Sequence, residues 1–474
     1  MRAVLGSLLV TAGLAGCIGG DETGLEPSDA ALAPLSLPDS FEFLCPAGET
    51  RTTAEGLCVG TIASLTESNQ EPFLAVDPNR PGVMAVGVNA GYSTDAVDPA
   101  RQDGAELIAM DVFFTQDGGA TWTRSQLPYI AAPSGMVGLD LRGVGDPALQ
   151  FDEAGVLHVS GIATNAVLTS GWEIFYTSSP DLGDGWTEPV LFTEDGSNDR
   201  NWLNIGPDGT IYLPWQFFAA DVADGGSTVA WSTDGGATWD MLEKGDHIPS
   251  CYGIGEAALL GARPYVACAL ADEDFDLSGI GFFHIDTMGA TFHEVAVIEE
   301  EGAYWPQPVV VADGSLVIAF EDFDDATVWL TRSTNGGLNW TTPVDARDLL
   351  AADDGWDYAN NYWFEADPWG AVHILLGGTA CAGELVLLMG CPRGLVHAAI
   401  DPVDWVVLSE TVLDEPGPAL EDMHVPPPLA PAWGDHYYGI AFTHDAGFMV
   451  WTRKQVLEFT TFEPIWADAM PAAE

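Results

Sequence analysis

Short apolar runs recur along the chain, each four or five residues long and closed by Gly, Pro, Asp or Asn. Met110–Phe114, Glu173–Tyr176, Thr228–Trp231 and Thr327–Leu330 are examples. Runs of that length, rich in β-branched and aromatic residues, predict strands rather than helices. Each of these four leads into the same turn. The copies are Thr115-Gln-Asp117-Gly-Gly119-Ala-Thr-Trp122, Ser179-Pro-Asp181-Leu-Gly183-Asp-Gly-Trp186, Ser232-Thr-Asp234-Gly-Gly236-Ala-Thr-Trp239 and Ser333-Thr-Asn335-Gly-Gly337-Leu-Asn-Trp340. Their common form is Ser/Thr-x-Asp/Asn-x-Gly-x-x-Trp. A degraded copy spans Asp286–Phe292. With it included, neighbouring copies lie about 50 to 65 residues apart, a period that signals a repeat architecture.

The turn has a physical reading at each position. The Asp or Asn side chain accepts hydrogen bonds from backbone N–H groups just after it. Gly permits a backbone angle that other residues resist. The Trp is expected to lay its apolar face against the neighbouring strand.

A second hairpin lies upstream of each turn, as in Pro72–Asp77 to Gly82–Gly87 and Pro308–Val311 to Ser315–Phe320. Hairpin plus hairpin is one four-stranded blade. Seven such units begin near residues 70, 144, 200, 251, 303, 360 and 428. The expected fold is therefore all-β, a single β-propeller with seven blades favoured and six as the alternative. The Cys45–Ser64 segment reads as an extra strand pair or a plug, and could complete the last blade.

The repeated turn resembles the Asp-box, or BNR repeat, and from about Asn69 onward the chain is similar to the sialidase-like β-propeller superfamily. The resemblance implies that Asp117, Trp122, Asp181, Trp186, Asp234, Trp239, Asn335 and Trp340 are structural, at the blade periphery. It also sets requirements for sialidase activity: three arginines around a substrate carboxylate, a Tyr nucleophile assisted by a Glu, and an Asp acid. The family's Phe/Tyr-Arg-Ile-Pro signature is absent. Of the arginines, Arg200 alone starts an inner strand, while Arg142, Arg263, Arg332 and Arg453 have no context that brings them to the axis. Family members with that activity have six blades.

Charge narrows the partners. Asp and Glu number 71 against 14 Lys and Arg, a formal net charge of −57. Such a surface repels a phosphate backbone and excludes nucleic acid as a partner. The N-terminus predicts export. Met1-Arg2, the apolar stretch Ala3–Leu14 and the run Leu14-Ala15-Gly16-Cys17 resemble a prokaryotic lipoprotein signal, with residues 1–16 removed and Cys17 carrying lipid. Residues 17–40 read as a flexible tether, 41–68 as a disulfide-stapled segment, and 69–474 as the propeller. Setting Cys17 aside leaves six cysteines in three local couples, Cys45/Cys58, Cys251/Cys268 and Cys381/Cys391, whose simplest reading is local disulfides in an exported protein. The expected location is the cell envelope, with a membrane partner through the lipid anchor.

Candidate chemistry gathers at the starts of the inner strands: Glu71, Asp146, Asp199-Arg200-Asn201-Trp202, Tyr304-Trp305-Pro306-Gln307, Asn361-Tyr362-Trp363 and Asp435-His436-Tyr437-Tyr438. Asn89, Gln216 and Glu321-Asp322 end the second strands. Candidates for acid–base or nucleophilic roles are Glu71, Asp146, Asp199, Glu321 and Tyr437, with Tyr362 an alternative nucleophile. Candidates for ligand contacts are Arg200, Trp202, Trp305, Gln307, Tyr362, Trp363 and His436. Aromatic faces beside amides and carboxylates suit a sugar. The expected function is a binding protein for a glycan or extracellular partner at the channel mouth; a glycoside hydrolase and a scaffold without small ligand are the alternatives. No cofactor or resident metal is expected. The acidic runs Asp272–Gly279 and Glu321–Asp325 depart from the calcium-loop pattern, although calcium is the one cation they would suit. His158 and His373 lie in alternating strands and read as structural.

Overall fold

The computed structural model describes residues 50–462, leaving out 53–57, 65–70, 81, 91–108, 129–140, 166–172, 193–196, 219–224, 243–246, 262, 273–275, 289, 323–326, 351–357, 380–392, 415–437, 444–445 and 454–455. Cys17, Cys45, Cys381, Cys391, His436 and Tyr437 lie outside the described residues, as do the signal segment and the tether.

The described strands form seven antiparallel sheets, each a propeller blade of at least four strands. Blade 1 contains Phe73–Val76, Met84–Ala90, Ala109–Thr115 and Thr123–Gln126. Blade 2 begins with Leu141–Phe151 and blade 5 with Ala303–Val310. The innermost strands of blades 3 and 4 are broken in two, Ser197–Asp199 with Asn204–Ile205 and Cys251–Tyr252 with Ala258–Leu260. Blade 6 begins with Tyr358–Ala366. Blade 7 takes Gly439–Phe442, Gly447–Arg453 and Val456–Phe462 from the end of the chain, then Cys58–Ser64 and Thr50–Thr52 from its beginning. Val59 pairs with Thr460, and the Thr460 hydroxyl donates to the Cys58 carbonyl over 2.7 Å. The two ends of the domain are thus joined in one sheet, which closes the ring without a free edge between first and last blades. A single helical turn, Ala346–Leu349, is capped by Asp345.

Alternating strand residues fill the seams between sheets. Between blades 7 and 1, Leu74, Met84 and Val86 meet Phe448, Val450 and Phe459. Continuous burial along Glu173–Ser179, Gly226–Ser232 and Leu316–Asp322 shows that these middle strands are covered on both faces, as blades packed on two neighbours require.

The four repeated turns share one hydrogen-bond pattern. In the third, the Ser232 hydroxyl donates to Asp234 Oδ1 over 2.9 Å and accepts the Gly236 N–H over 2.8 Å. Asp234 Oδ1 also accepts the Thr238 N–H at 2.8 Å. Thr115/Asp117, Ser179/Asp181 and Ser333/Asn335 repeat it. The Trp, however, packs on the preceding blade rather than on a neighbouring strand of its own sheet. Trp122 meets Phe459 of blade 7 at 5.4 Å, Trp239 meets Tyr176 of blade 2 at 4.8 Å, and Trp340 meets Phe282 of blade 4 at 5.3 Å. The same ring also occupies the space a Cβ on the turn glycine would need, with the Tyr176 hydroxyl overlapping that position at Gly236. Gly is required there by its φ of 87° and by this contact.

Cys251 and Cys268 form a disulfide within blade 4, with Cα atoms 5.5 Å apart. Cys58 is also disulfide-bonded. His158 hydrogen-bonds Tyr176, and His373 bridges His397 and Asp367, all buried; these histidines stitch strands together.

Candidate functional site at the mouth of the axis

The innermost strands of five blades carry a kink in or beside them. Glu71, Asp146, Arg200 and Trp305 have φ of 27°, 48°, 52° and 50°, and Gly253 has 56°. Sheet register slips there in blade 2, between Gly145 and Ala148, and in blade 5, between Tyr304 and Gln307. Positive φ is costly for residues with a Cβ, about 1–3 kcal/mol each, and persists where the surroundings impose it. Three of these residues precede proline (Pro72, Pro147, Pro306). The kinks at Glu71, Asp146, Arg200 and Trp305 place polar or aromatic side chains beside one another, and Gly253 makes room for Trp305.

Three carboxylates meet at this mouth. Glu71 and Asp146 hydrogen-bond to each other through their side chains, and so do Asp146 and Asp199. Asn89 Nδ2 donates to Glu71 Oε2. The Arg200 backbone N–H donates to Asp146 Oδ2 at 3.1 Å and to Asp199 Oδ1 at 2.9 Å. Each of the three residues keeps an edge in solvent, yet protein atoms crowd the carboxyl groups. Burial pushes all three up to about 7. The Glu71 charge adds to the effect on Asp146, and the Asp146 charge to that on Asp199, while Arg200 opposes the shift in each.

Arg200 covers one wall. Its guanidinium carbon lies 3.6 Å from the centre of the Trp305 ring and 5.9 Å from that of Tyr304, the geometry of a cation–π contact. Trp305 fills the space that a side chain at Gly253 would take, its Cδ1 2.8 Å from the missing Cβ. Beside them is a cavity of about 20 Å³ lined by Arg200, Trp202, Gly253, Ile254, Trp305, Pro306, Gln307 and Tyr362. That volume holds one water or one hydroxyl group.

One layer down, the axis is filled. Phe73 of blade 1 meets Trp363 of blade 6 edge-on at 5.1 Å, Trp363 lies 5.5 Å from Trp202 of blade 3, and Phe73 is 6.4 Å from Trp202. These blades are not neighbours, so their side chains meet only at the axis. Trp202 Nε1 donates to the Ile254 carbonyl at 2.5 Å. Trp202 and Trp363, expected as ligand contacts, are thus buried parts of an aromatic plug, 5% and 2% exposed.

Two residues further along the same strands lies a polar layer that the sequence reading missed. Asn204 donates to Glu256 at 2.6 Å, and the Gln150 side chain accepts the Ile205 N–H at 2.7 Å. Burial raises Glu256 to about 7 and raises Glu365 well above the ordinary range, with the Glu256 charge adding to the latter. The period of two was the available signal: Trp202 to Asn204, Ile254 to Glu256, Trp363 to Glu365.

Of the remaining candidates, Tyr362 lines the cavity and Glu321 lies close enough to act on it. The Tyr362 hydroxyl donates to the carbonyls of Trp305 and Ala319, the latter at 2.8 Å, and accepts from the Gln307 backbone. Burial holds it well above the usual tyrosine range, which is opposite to what an activated nucleophile needs. Glu321 is buried in the second strand of blade 5, and its charge raises Tyr362 further. Arg332 pairs with Asp313 at a hairpin turn at 2.6 Å, and Arg263 is exposed. Among the described residues no cluster of three or more His, Cys, Asp or Glu side chains could hold a metal ion.

No protein-family model matches the chain, and a search of curated proteins finds no match. Among solved structures, it is similar to a Hadza microbial sialidase at 15% identity, covering 84% of this chain and 66% of that one with a TM-score of 0.48. A protein of unknown function from Dyadobacter fermentans aligns over 68% of this chain and 99% of its own, at 15% identity and a TM-score of 0.45. A Trypanosoma rangeli sialidase aligns over 89% of this chain and 58% of its own, at 15% identity and a TM-score of 0.41. The chain therefore spans less than two thirds of the length of these two sialidases. The propeller is established by the seven sheets of the chain itself.

Proposed function

We propose that this chain is an extracytoplasmic lipoprotein, anchored through Cys17, whose propeller binds a glycan or extracellular partner at the mouth defined by Arg200 and Trp305. The observation that carries binding rather than hydrolysis is the direct contact of Glu71 with Asp146 and of Asp146 with Asp199. Glycoside hydrolysis needs two carboxyl groups about 5 to 9 Å apart, with the sugar and a water or nucleophile between them. The neighbouring carboxyls Glu71/Asp146 and Asp146/Asp199, which hydrogen-bond to each other, leave no such space, and the Tyr362 hydroxyl is engaged by backbone. Half-buried Arg200, Tyr304 and Trp305 instead offer a solvent-facing aromatic and cationic rim. The Cys251–Cys268 disulfide fits an oxidising compartment, and the four turns fit the Asp-box reading.

A glycan array and a panel of fluorogenic glycosides test this. Binding lost in Trp305→Ala, with no turnover of any glycoside, is the expected result. Turnover abolished by Asp199→Asn or Glu321→Gln would replace the binding reading with an enzymatic one. For the anchor, Cys17→Ser is expected to move the protein from the membrane fraction to the soluble fraction.

A further inference from the structure

Gln307 lines the small mouth cavity. Gln307 is 9% exposed, and its Oε1 has no hydrogen-bond partner. A buried acceptor left without a donor costs about 1–3 kcal/mol, so an occupant that donates a hydrogen bond is favoured there. Gln216, fully buried, accepts the N–H of Gly253 on the cavity wall at 2.5 Å, while its Nε2 has no partner. A carboxylate cannot donate to Gln307 Oε1. An ammonium can, but Arg200 lines the cavity itself and opposes a second cation inside it. Among the described residues, Glu71, Asp146 and Asp199 stand against the Arg200 guanidinium alone, so this set is net acidic once they ionise. The formal charge of the whole chain, −57, has the same sign.

We propose that this cavity takes one hydroxyl of an uncharged sugar, donated to Oε1 of Gln307, and that the mouth discriminates against sugars bearing a carboxylate. This rests on the reading of the mouth as a glycan site. Trp305 gives the ring a flat apolar face beside the cavity, and the cavity's volume admits a hydroxyl and little more. Gln307 is then a specificity residue, because a site built to pair a hydroxyl loses affinity when either partner is removed.

Calorimetry on the full chain at about pH 8 decides it, where carboxyls held near 7 are mostly ionised. The probes are methyl glycosides of glucose, galactose, mannose and N-acetylglucosamine, with glucuronic acid and N-acetylneuraminic acid as the anionic arm. The expected result is binding of at least one neutral glycoside, about tenfold or more tighter than either acid, and a loss of about tenfold or more in Gln307→Met at unchanged melting temperature. Acids binding as tightly as the neutral sugars would overturn the discrimination while leaving glycan binding intact. Unchanged neutral binding in a folded Gln307→Met would overturn the hydroxyl contact alone. Binding of no sugar in either arm would overturn the glycan reading and this inference together. If Gln307→Met does not fold, the neutral-to-anionic ratio of the unmodified protein still decides the discrimination.

Discussion

Glu71 and Asp146 hydrogen-bond to each other across the seam between the first two blades, and each sits at a kink with positive φ. Two buried carboxyls in contact retain a proton that either would lose alone in water. With Asp199 they form a chain of three whose protonation is tied to the folded state.

The pH dependence of stability follows from the direction of that shift. The folded-state value is about 7 for Glu71, Asp146 and Asp199, against ordinary values of 4.5, 3.8 and 3.8. Between these values the native state holds protons that the unfolded chain has released, so stability falls as pH rises from the ordinary carboxyl range through 7 and then levels off. Thermal melts are expected to show a lower midpoint at about pH 8 than at about pH 5, since each tenfold difference in proton affinity between the folded and unfolded chain is worth about 1.4 kcal/mol. Asp146→Asn should flatten the curve in part, with Glu256 supplying residual slope. A midpoint that rises from acid to alkaline conditions would refute the proton-sharing chain.

The axial plug sets a second expectation. Trp363 is 2% exposed and touches Phe73 and Trp202 from two other blades. Trp363→Ala should destabilise by about 3–5 kcal/mol, as for other buried large-to-small changes. The measurement is the denaturant midpoint, and a shift no larger than that of a surface substitution would show that the three rings do not cooperate.

Two adjacent glycines separate backbone strain from ring contact. Gly235 and Gly236 have φ of 74° and 87°, but nothing lies within 4 Å of a Cβ at Gly235, whereas the Tyr176 hydroxyl stands where a Cβ at Gly236 would be. Gly235→Ala should cost about 1–2 kcal/mol, the left-handed penalty alone. Gly236→Ala should cost clearly more, and equal costs would mean that Tyr176 moves aside freely.

The disulfide offers a fourth test. Cys251 and Cys268 are separated by 17 residues, for which chain entropy assigns about 3 kcal/mol. Replacing both by Ala should lower the melting midpoint and make it insensitive to added thiol at this pair. An unchanged midpoint would show that the hydrogen bonds between Cys251–Tyr252 and Arg263–Ala271 hold the blade unaided.

Much of the fold was legible because its determinants are local. Ser232, Asp234 and Gly236 bond within five residues of chain, so the turn and its hairpin could be read directly, and counting hairpins led to seven blades. The mouth was partly legible for a similar reason: Glu71, Asp146 and Trp305 each precede a proline at the head of an inner strand. That Trp239 packs on Tyr176 of the previous blade was hidden, since it depends on how one sheet lies on another. Glu256 and Glu365 were missed because their two-residue spacing from Ile254 and Trp363 points to the axis only once those side chains are known to face it.

The sequence by itself determined the repeat, the strands and the turn chemistry, which act through neighbours in the chain. Only the tertiary structure decided which side chains share the axis. Phe73, Trp202 and Trp363 are separated by more than a hundred residues at each step, and closing the ring brings them into one plug. The same closure presses Glu71, Asp146 and Asp199 together, so that burial and mutual charge set their protonation. Those effects belong to distances between blades, and ring closure fixes those distances.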